Sequence, residues 1–362
     1  MPDFTDQPSA VREGQGIDAG ALGDWLAKNL PELASSEVRV AQFGRGYSNL
    51  TYLVRVGERE LVLRRAPPGV KIKSAHDMGR EHRILSALAR VPGWTKTPRP
   101  LAACDDESVL GSSFYVMERV RGVILRARTP EGLDLSPPVM RRVSEATIDT
   151  LAEIHSLDLR AAGLEGIGKP EGYVRRQVEG WTDRYRKAQT DDVPQLEELG
   201  RWLFANLPKD TAPALIHNDF KYDNVVLDEG LSRVVSVLDW EMATVGDPLM
   251  DLGTTLGYWV EADDPPLFQA TVFGPTNLPG NLTRRELVAR YADKTGREVG
   301  DVLFYYANAL YKLAVVAQQL YKRWKDGLTK EERYAAMLMG VQALTRAALV
   351  AVEKGRIDRL GD

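Results

Sequence analysis

With a single cysteine, Cys104, in 362 residues, the chain can form no intramolecular disulfide and no multi-cysteine metal site. Histidine is also scarce: there are four, with no His-Glu-x-x-His, which argues against a zinc hydrolase. No Gly-x-x-x-x-Gly-Lys-Ser/Thr occurs, so a P-loop is excluded, and the lack of Gly-x-Ser-x-Gly argues against the nucleophile elbow of an α/β-hydrolase. Charge of one sign is nearly balanced by the other, at a formal net of −4, and no long Lys/Arg run is present. That predicts neither a nucleic-acid partner nor a membrane-surface arm. The opening Met1-Pro2-Asp3-Phe4-Thr5-Asp6 has no basic region or apolar stretch, so no secretory leader is expected. The most apolar late segment, 335–352, is interrupted by Gln342 and Arg346 and predicts a buried or amphipathic helix rather than a membrane span. Together with the low cysteine count, these absences predict a cytoplasmic protein.

What is present is globular. At 44% hydrophobic and 27% charged, with seven tryptophans to anchor cores, the chain has ample material to bury, and its length predicts two domains. Residues 1–16 are polar, with Pro2, Pro8 and two glycines, and predict a mobile tail. A short helix is expected over 21–30. Period-two alternation then begins in Val38-Arg39-Val40-Ala41-Gln42-Phe43 and continues over 49–56 and 60–65, with Gly57-Glu58-Arg59 as the turn of an antiparallel meander. Met78, Ile84, Leu85 and Leu88 recur at helical spacing over 77–88, and 113–120 is a further β-rich run. Beyond residue 121 the pattern is mostly helical. Ser136-Pro137 reads as a helix start, and Thr283 with Glu286 and Thr329 with Glu332 read as capping boxes. A β-rich island interrupts the helices at 214–216, 224–227 and 234–238.

The island carries the chemistry. It contains His217-Asn218-Asp219-Phe220-Lys221-Tyr222-Asp223-Asn224 and then Val237-Leu238-Asp239-Trp240-Glu241. Phosphoryl transfer asks a protein for a carboxylate that orients the attacking hydroxyl and for ligands to a metal that neutralises the triphosphate. Asn and Asp oxygens at adjoining strand ends suit Mg²⁺. Taken singly, an Asp or His is most often a turn or cap residue. The spacing of Asp219 and Asn224, and the position of Asp239 at the end of an apolar strand, are what single them out.

This string resembles the catalytic loop of the aminoglycoside phosphotransferase family, a branch of the protein-kinase-like superfamily of small-molecule kinases. The resemblance implies a bilobal α+β fold. A small antiparallel-sheet N-lobe with one main helix (17–120) would cover the nucleotide, and a larger, mainly helical C-lobe (121–362) would hold the catalytic loop and acceptor pocket. It also implies ATP and Mg²⁺ as cofactors and a small-molecule hydroxyl acceptor as partner. Asp219 would be the catalytic base, Asn224 and Asp239 the Mg²⁺ ligands, and His217 a brace for the loop. Asp251, in Gly246-Asp247-Pro248-Leu249-Met250-Asp251-Leu252, would hold that loop rather than touch substrate. Phe43-Gly44-Arg45-Gly46-Tyr47-Ser48-Asn49 looks like the phosphate-covering loop, with Gly44, Gly46, Ser48 and Asn49 at the nucleotide; glycines there let backbone N–H groups approach phosphate. Met117-Glu118-Arg119-Val120 resembles the hinge, where the Glu118 carbonyl and Val120 N–H would bond adenine, with Met117 beside them. His155 matches a histidine common in the family, and its plain role is that of a hydrogen-bonded helix residue.

One departure stands out. The family pairs a lysine on the third strand with a helix glutamate, here Glu81, and Arg64 occupies the lysine's place. Arg64 could contact phosphate, or could brace the lobe while Lys71 or Lys73 reaches the nucleotide. Two functions therefore stand: an active kinase, or a nucleotide-binding module that is catalytically silent. The string Arg64-Arg65-Ala66-Pro67-Pro68-Gly69 with Ser74-Ala75-His76-Asp77 is most similar to the subgroup also found fused to acyl-CoA dehydrogenases, which implies a hydroxyacyl-CoA-like acceptor. The acidic run Glu261-Ala262-Asp263-Asp264 would instead suit a cationic aminoglycoside, or be only a solvated loop. Trp181 and Trp259 could wall the acceptor pocket or fill the core.

Overall fold

The computed structural model describes residues 4–34, 37–44, 49–67, 77–191, 193–329 and 331–361. In chain order the helices are α1 (Ala19–Asn29), α2 (Met78–Leu88), α3 (Glu107–Leu110), α4 (Pro137–His155), α5 (Leu159–Ala162), α6 (Tyr173–Ala188), α7 (Pro194–Ala205), α8 (Pro248–Tyr258), α9 (Pro266–Gln269), α10 (Arg284–Thr295), α11 (Val302–Lys325) and α12 (Met337–Lys354). The strands are β1 (Val38–Gln42), β2 (Leu50–Val56), β3 (Arg59–Arg65), β4 (Pro100–Cys104), β5 (Phe114–Glu118), β6 (Ala214–Ile216), β7 (Val225–Leu227), β8 (Val234–Val237) and β9 (Thr244–Gly246).

The first lobe is a five-stranded antiparallel sheet in the order β1-β2-β3-β5-β4. The β2–β3 turn is tighter than expected. Arg59 already pairs with Val56, leaving Gly57 and Glu58 at the bend, with Gly57 at φ +57° as such a turn requires. Alternation sorts the strand side chains onto two buried faces. Tyr52, Val54, Leu61, Leu63, Phe114 and Val116 pack beneath α1 with Leu22 and Leu26. Val62, Tyr115 and Met117 face α2 with Ile84, Leu85 and Leu88 and belong to the main core. Asp77 caps α2, its carboxylate accepting from the Arg80 N–H at 2.8 Å. Strand β4 escaped the pattern reading, because its Pro-Leu-Ala-Ala-Cys sequence is short and lacks β-branched residues.

The expected tail makes defined contacts across residues 4–16. Ser9 bridges Gln42 at the edge of β1, Asp6 pairs with Arg126 at 2.8 Å, and Phe4 packs on the core. The second lobe is helical around α11, which packs against α6, α7, α8 and α12. The Thr283–Glu286 box forms as expected and starts α10. The Thr329–Glu332 pair starts no α-helix. A single 3-10 turn, Glu332–Tyr334, follows it, and α12 begins only at Met337. With that turn, Glu332–Lys354 is long and apolar enough to cross a membrane by length and composition, and here it packs along α11. Two short antiparallel pairs, β6-β9 and β7-β8, belong to the second lobe, with β6 packed on α4 and α8 and β8 on α4.

Candidate active site

Arg64 and Arg65 are adjacent on β3 and therefore point to opposite faces of the sheet. Arg65 serves the α1 face, donating to the Leu110 carbonyl at 2.9 Å and the Tyr52 hydroxyl at 3.1 Å. Arg64 faces α2, with Nη1 2.7 Å from Glu81 Oε1. Its other arm reaches the second lobe, Nη2 lying 2.8 Å from Asp239 Oδ1 and 3.4 Å from Glu241 Oε2. Burial works against the guanidinium charge, but Glu81 and Asp239 beside it hold its pKa well above the ordinary value. The expected pairing of Arg64 with Glu81 is thus present. Lys71 and Lys73, the other cations considered, lie outside the described residues, as do Gly46 and Ser48.

Two further bonds tie the lobes at this point. Asn49, at the start of β2, donates to Glu241 Oε2 at 2.5 Å, and the Trp240 N–H donates to Glu81 Oε1 at 3.1 Å. The Gly44 carbonyl accepts from the Arg12 guanidinium. At the end of β5, the Glu118 N–H bonds the Arg99 carbonyl at 2.9 Å and the Arg119 N–H bonds the Glu60 carbonyl at 3.4 Å. Met117 is buried against the α2 side, with its backbone paired between β3 and β4, and Val120 is half-buried just beyond.

The loop after β6 is held from below by α8. Asp251 is fully buried and accepts the His217 N–H at 2.6 Å and the Asn218 N–H at 2.7 Å, with His155 Nε2 at 3.1 Å. Burial alone would raise its pKa, yet His155, His217 and these N–H bonds hold it below the usual carboxylate range. His217 Nε2 donates to the Leu238 carbonyl at 2.8 Å while Nδ1 accepts the Asp219 N–H at 3.3 Å, so the ring braces the loop against the Asp239 segment. Asn218 (φ +67°) and Asp239 (φ +65°) take left-handed backbone, which Asn and Asp tolerate better than most residues. Leu238 N–H donates to the Asn224 carbonyl at 2.8 Å, continuing the β7–β8 ladder and bringing Asn224 next to the Asp239 segment.

Asp219 sits at the centre. Its Oδ2 accepts Lys221 Nζ at 2.7 Å and Asn224 Nδ2 at 2.9 Å, and its Oδ1 accepts the Tyr258 hydroxyl at 2.5 Å. Burial would raise this carboxyl, but Lys221, Tyr258 and the more distant Lys312 hold it below the ordinary value. Lys221 also lies over the Tyr258 ring, 4.6 Å from its centroid. Lys312, from the middle of α11, donates to the Asn218 carbonyl at 2.7 Å, and burial pushes its pKa down.

Lys221, Tyr258, Lys312 and Glu241 were not picked out from the sequence. Tyr258 follows Asp251 by two helical turns and so shares its face of α8, and Lys312 interrupts an apolar helix; both were signals available in principle. The acidic run is solvated only at Ala262 and Asp263; Glu261 and Asp264 are buried. Asp264 chelates the fully buried Arg284 at 2.7 and 2.6 Å, and Glu261 lies 3.1 Å from the same guanidinium. Trp259 and Trp181 both belong to the core, and Trp259 also edges a small pocket together with Lys221, Tyr222, Tyr258, Phe273 and Thr276.

Set beside known proteins, residues 39–287 match the model of the phosphotransferase enzyme family. Acyl-CoA dehydrogenase family member 11 of Homo sapiens is 37% identical over 342 residues, covering 92% of this chain and 43% of that protein. Acyl-CoA dehydrogenase family member 10 of Mus musculus is 35% identical, covering 88% of this chain and 29% of that one. The chain thus spans less than half the length of these relatives. Among solved structures, one from Ralstonia eutropha described as an aminoglycoside phosphotransferase superposes with a TM-score of 0.78 at 28% identity, covering 94% of this chain and 99% of that chain. Aminoglycoside phosphotransferase APH(4)-Ia, in a ternary complex with AMP-PNP and hygromycin B, has a TM-score of 0.58 at 19% identity over 91% of this chain and 98% of that one, a likeness of fold.

Proposed function

The chain belongs to the phosphotransferase enzyme family, and from that premise we propose that it is an ATP- and Mg²⁺-dependent kinase acting on the hydroxyl of a small metabolite. The observation that carries this reading is the meeting of Asp219 with Asn224, and of the Asn224 backbone with the segment that carries Asp239. Asn224 bonds Asp219 at 2.9 Å, its carbonyl bonds the Leu238 N–H at 2.8 Å, and Arg64 reaches Asp239 at 2.8 Å from the sheet lobe. In the proposed reaction the acceptor oxygen bonds to the terminal phosphorus and the bond from that phosphorus to the β,γ-bridging oxygen breaks. Its electron pair leaves with ADP, and the acceptor proton passes to Asp219. A carboxylate held below its usual pKa is suited to orienting the hydroxyl and taking its proton late, as a loose phosphoryl-transfer transition state allows.

Asn224 and Asp239 fit a hard cation. Both bonds donated by Asn224 Nδ2 run back to Asp219, at 2.8 and 2.9 Å, which leaves the amide oxygen for a ligand. Bound there, Mg²⁺ would neutralise triphosphate charge. In this reading Gly44, Gly46, Ser48 and Asn49 lie over the phosphates, Arg64 with Glu81 faces them, and the backbone of Met117, Glu118 and Val120 receives adenine. His217 and Asp251 keep the loop in place.

For the acceptor we favour a hydroxylated acyl thioester over an aminoglycoside. Arg284 already neutralises Glu261 and Asp264, which leaves Asp263 as the one exposed carboxylate of that run to draw a polycation. Among the described residues, the pocket beside Asp219 has aromatic walls, the cation Lys221 and no carboxylate. The names of the curated relatives point the same way. The test is ATP consumption and phosphorylated product with kanamycin and with hydroxyacyl-CoA thioesters carrying the hydroxyl at successive chain positions. Wild type should phosphorylate a thioester and Asp219→Asn should not; turnover of kanamycin alone would overturn the acceptor assignment, and full activity of Asp219→Asn would overturn the base. The silent-module reading draws on one observation, the occupation of Asp239 by Arg64. Tight MgATP binding without transfer to any acceptor would establish it instead.

A further inference from the structure

The hydrogen bonds at Asp219 leave one place for an incoming hydroxyl. An ionised carboxylate offers about four lone-pair sites, two on each oxygen. Oδ2 is filled by Lys221 at 2.7 Å and Asn224 at 2.9 Å, and Oδ1 holds the Tyr258 hydroxyl at 2.5 Å. Among the described residues, the second site on Oδ1 is the one left.

From this we infer that Tyr258 is a positioning residue: its hydroxyl fills one lone pair of Asp219 Oδ1 so that the acceptor hydroxyl must take the other, over the pocket bounded by Tyr222, Tyr258, Trp259 and Phe273. This rests on the kinase reading and goes beyond it, because it fixes which carboxylate oxygen meets the acceptor and what stands beside it. Three observations support it. Tyr258 ends α8, the helix whose Asp251 holds the same loop, so phenol and loop are set by one rigid element. Its ring is fixed edge-on to Phe273, with centroids 4.9 Å apart, and carries the Lys221 ammonium at 4.6 Å. The ring is also part of the wall of a small pocket, beside Lys221, so two of the side chains that bond the Asp219 carboxylate line that pocket. A well-aligned acceptor outcompetes water for that site; a carboxylate free to rotate would serve water equally well.

The discriminating quantity is the ratio of phosphorylated product to ADP released by hydrolysis, with MgATP and the hydroxyacyl-CoA series, and with water as acceptor when no thioester is added. Tyr258→Phe keeps the ring and removes the bond. We expect transfer kcat to fall about 10- to 100-fold, the range lost with one misaligned catalytic contact, while KM for MgATP and the dissociation constant for MgADP stay at their wild-type values. The hydrolytic share of ADP should rise. Tyr258→His, which returns an N–H donor at that place, should recover part of the coupling, and it also serves if the Phe variant proves unstable. A Tyr258→Phe protein with wild-type coupling and kcat overturns the assignment while leaving the kinase reading intact. A wild-type protein that turns over no MgATP under any of these conditions brings down the kinase reading and this assignment with it.

Discussion

Arg64 Nη2 lies 2.8 Å from Asp239 Oδ1, so a guanidinium of the sheet lobe is seated on the carboxylate proposed to bind metal in the helical lobe. The same guanidinium holds Glu81, which is only 1% exposed, at 2.7 Å. One side chain therefore neutralises a buried carboxylate in its own lobe and fastens the other lobe to it. Arg64→Ala would leave Glu81 buried without its cation, a change that costs about 3–5 kcal/mol when a buried pair is broken from one side. Arg64→Lys keeps the charge and three donors but is shorter and lacks the planar fork, so it holds Glu81 and Asp239 together less well. Chemical denaturation should rank wild type above Lys above Ala, and MgADP affinity should follow the same order. Equal stability of the Ala variant would show that the pair contributes nothing.

Asp251 supplies the pH-dependent part of loop stability. Its folded pKa is lowered, so its contribution is complete above the unfolded value, near ~4 for an aspartate, and is lost as pH falls through the folded value. Asp251→Asn turns an –NH₂ toward one of the two backbone N–H donors of His217 and Asn218, so one donor loses its acceptor. We expect a loss of about 3 kcal/mol at pH 7. The gap between wild type and variant should begin to narrow below roughly pH 4, where the unfolded chain's aspartate takes up its proton, and should close as pH falls through the lowered folded value. Urea titrations at pH 7 and pH 3.5 measure both; a gap of constant size would mean the carboxylate charge plays no part.

How far the sequence carried the reading depends on what each residue's partners were. Asp219, Asn224 and Asp239 could be singled out together because all three lie on one strand–loop–strand, and a local interval is what a sequence records; their roles are those proposed above. The pairing of Arg64 with Glu81 was legible through the family resemblance, which sets a cation of the third strand against a helix glutamate. Tyr258 and Lys312 were not, since each reaches Asp219 or its loop from a helix distant in the chain. The buried carboxylates of the acidic run, Glu261 and Asp264, were missed for the same reason. Their burial depended on Arg284, twenty residues beyond Asp264, whose own burial no local pattern announces. Strand β4 and the Thr329–Glu332 pair failed in opposite directions, one a strand without β-formers and the other a capping pattern without a helix to cap.

Glu261 offers a second pH test with the opposite sign. Burial pushes its pKa up to about 7, against the pull of Arg284. A carboxyl raised above its unfolded value, near ~4.3, contributes most when protonated, so this contribution shrinks as pH rises from about 4 to about 7. Glu261→Gln still offers an oxygen to the Arg284 N–H that Glu261 Oε1 now accepts, and it has no proton to lose in this window. Stability of the variant should therefore change less between pH 5 and pH 8 than that of wild type, as read by thermal melting in matched ionic strength. A steeper slope in the variant would assign the titration elsewhere.

Gly253 marks where α8 comes closest to α11. A Cβ at this position would stand 2.5 Å from the Tyr305 carbonyl oxygen and 2.7 Å from its carbon, and these are backbone atoms of a long helix that cannot turn aside. Glycine inside a helix costs about 1 kcal/mol relative to alanine, so Gly253→Ala would stabilise α8 if there were room. There is none, and overpacking of this kind costs about 1–3 kcal/mol. Gly257, one turn on, is the internal control: its Cβ would meet the Ala309 side chain at 3.0 Å, a contact that a small shift relieves. Gly253→Ala should melt lower than Gly257→Ala. It should also lose more transfer activity than its distance from Asp219 would suggest, because pushing α8 off α11 moves Asp251 and Tyr258 together. If Gly253→Ala melts at or above wild type, the helices are not packed this closely, and α8 cannot be the rigid element that sets both contacts to the loop.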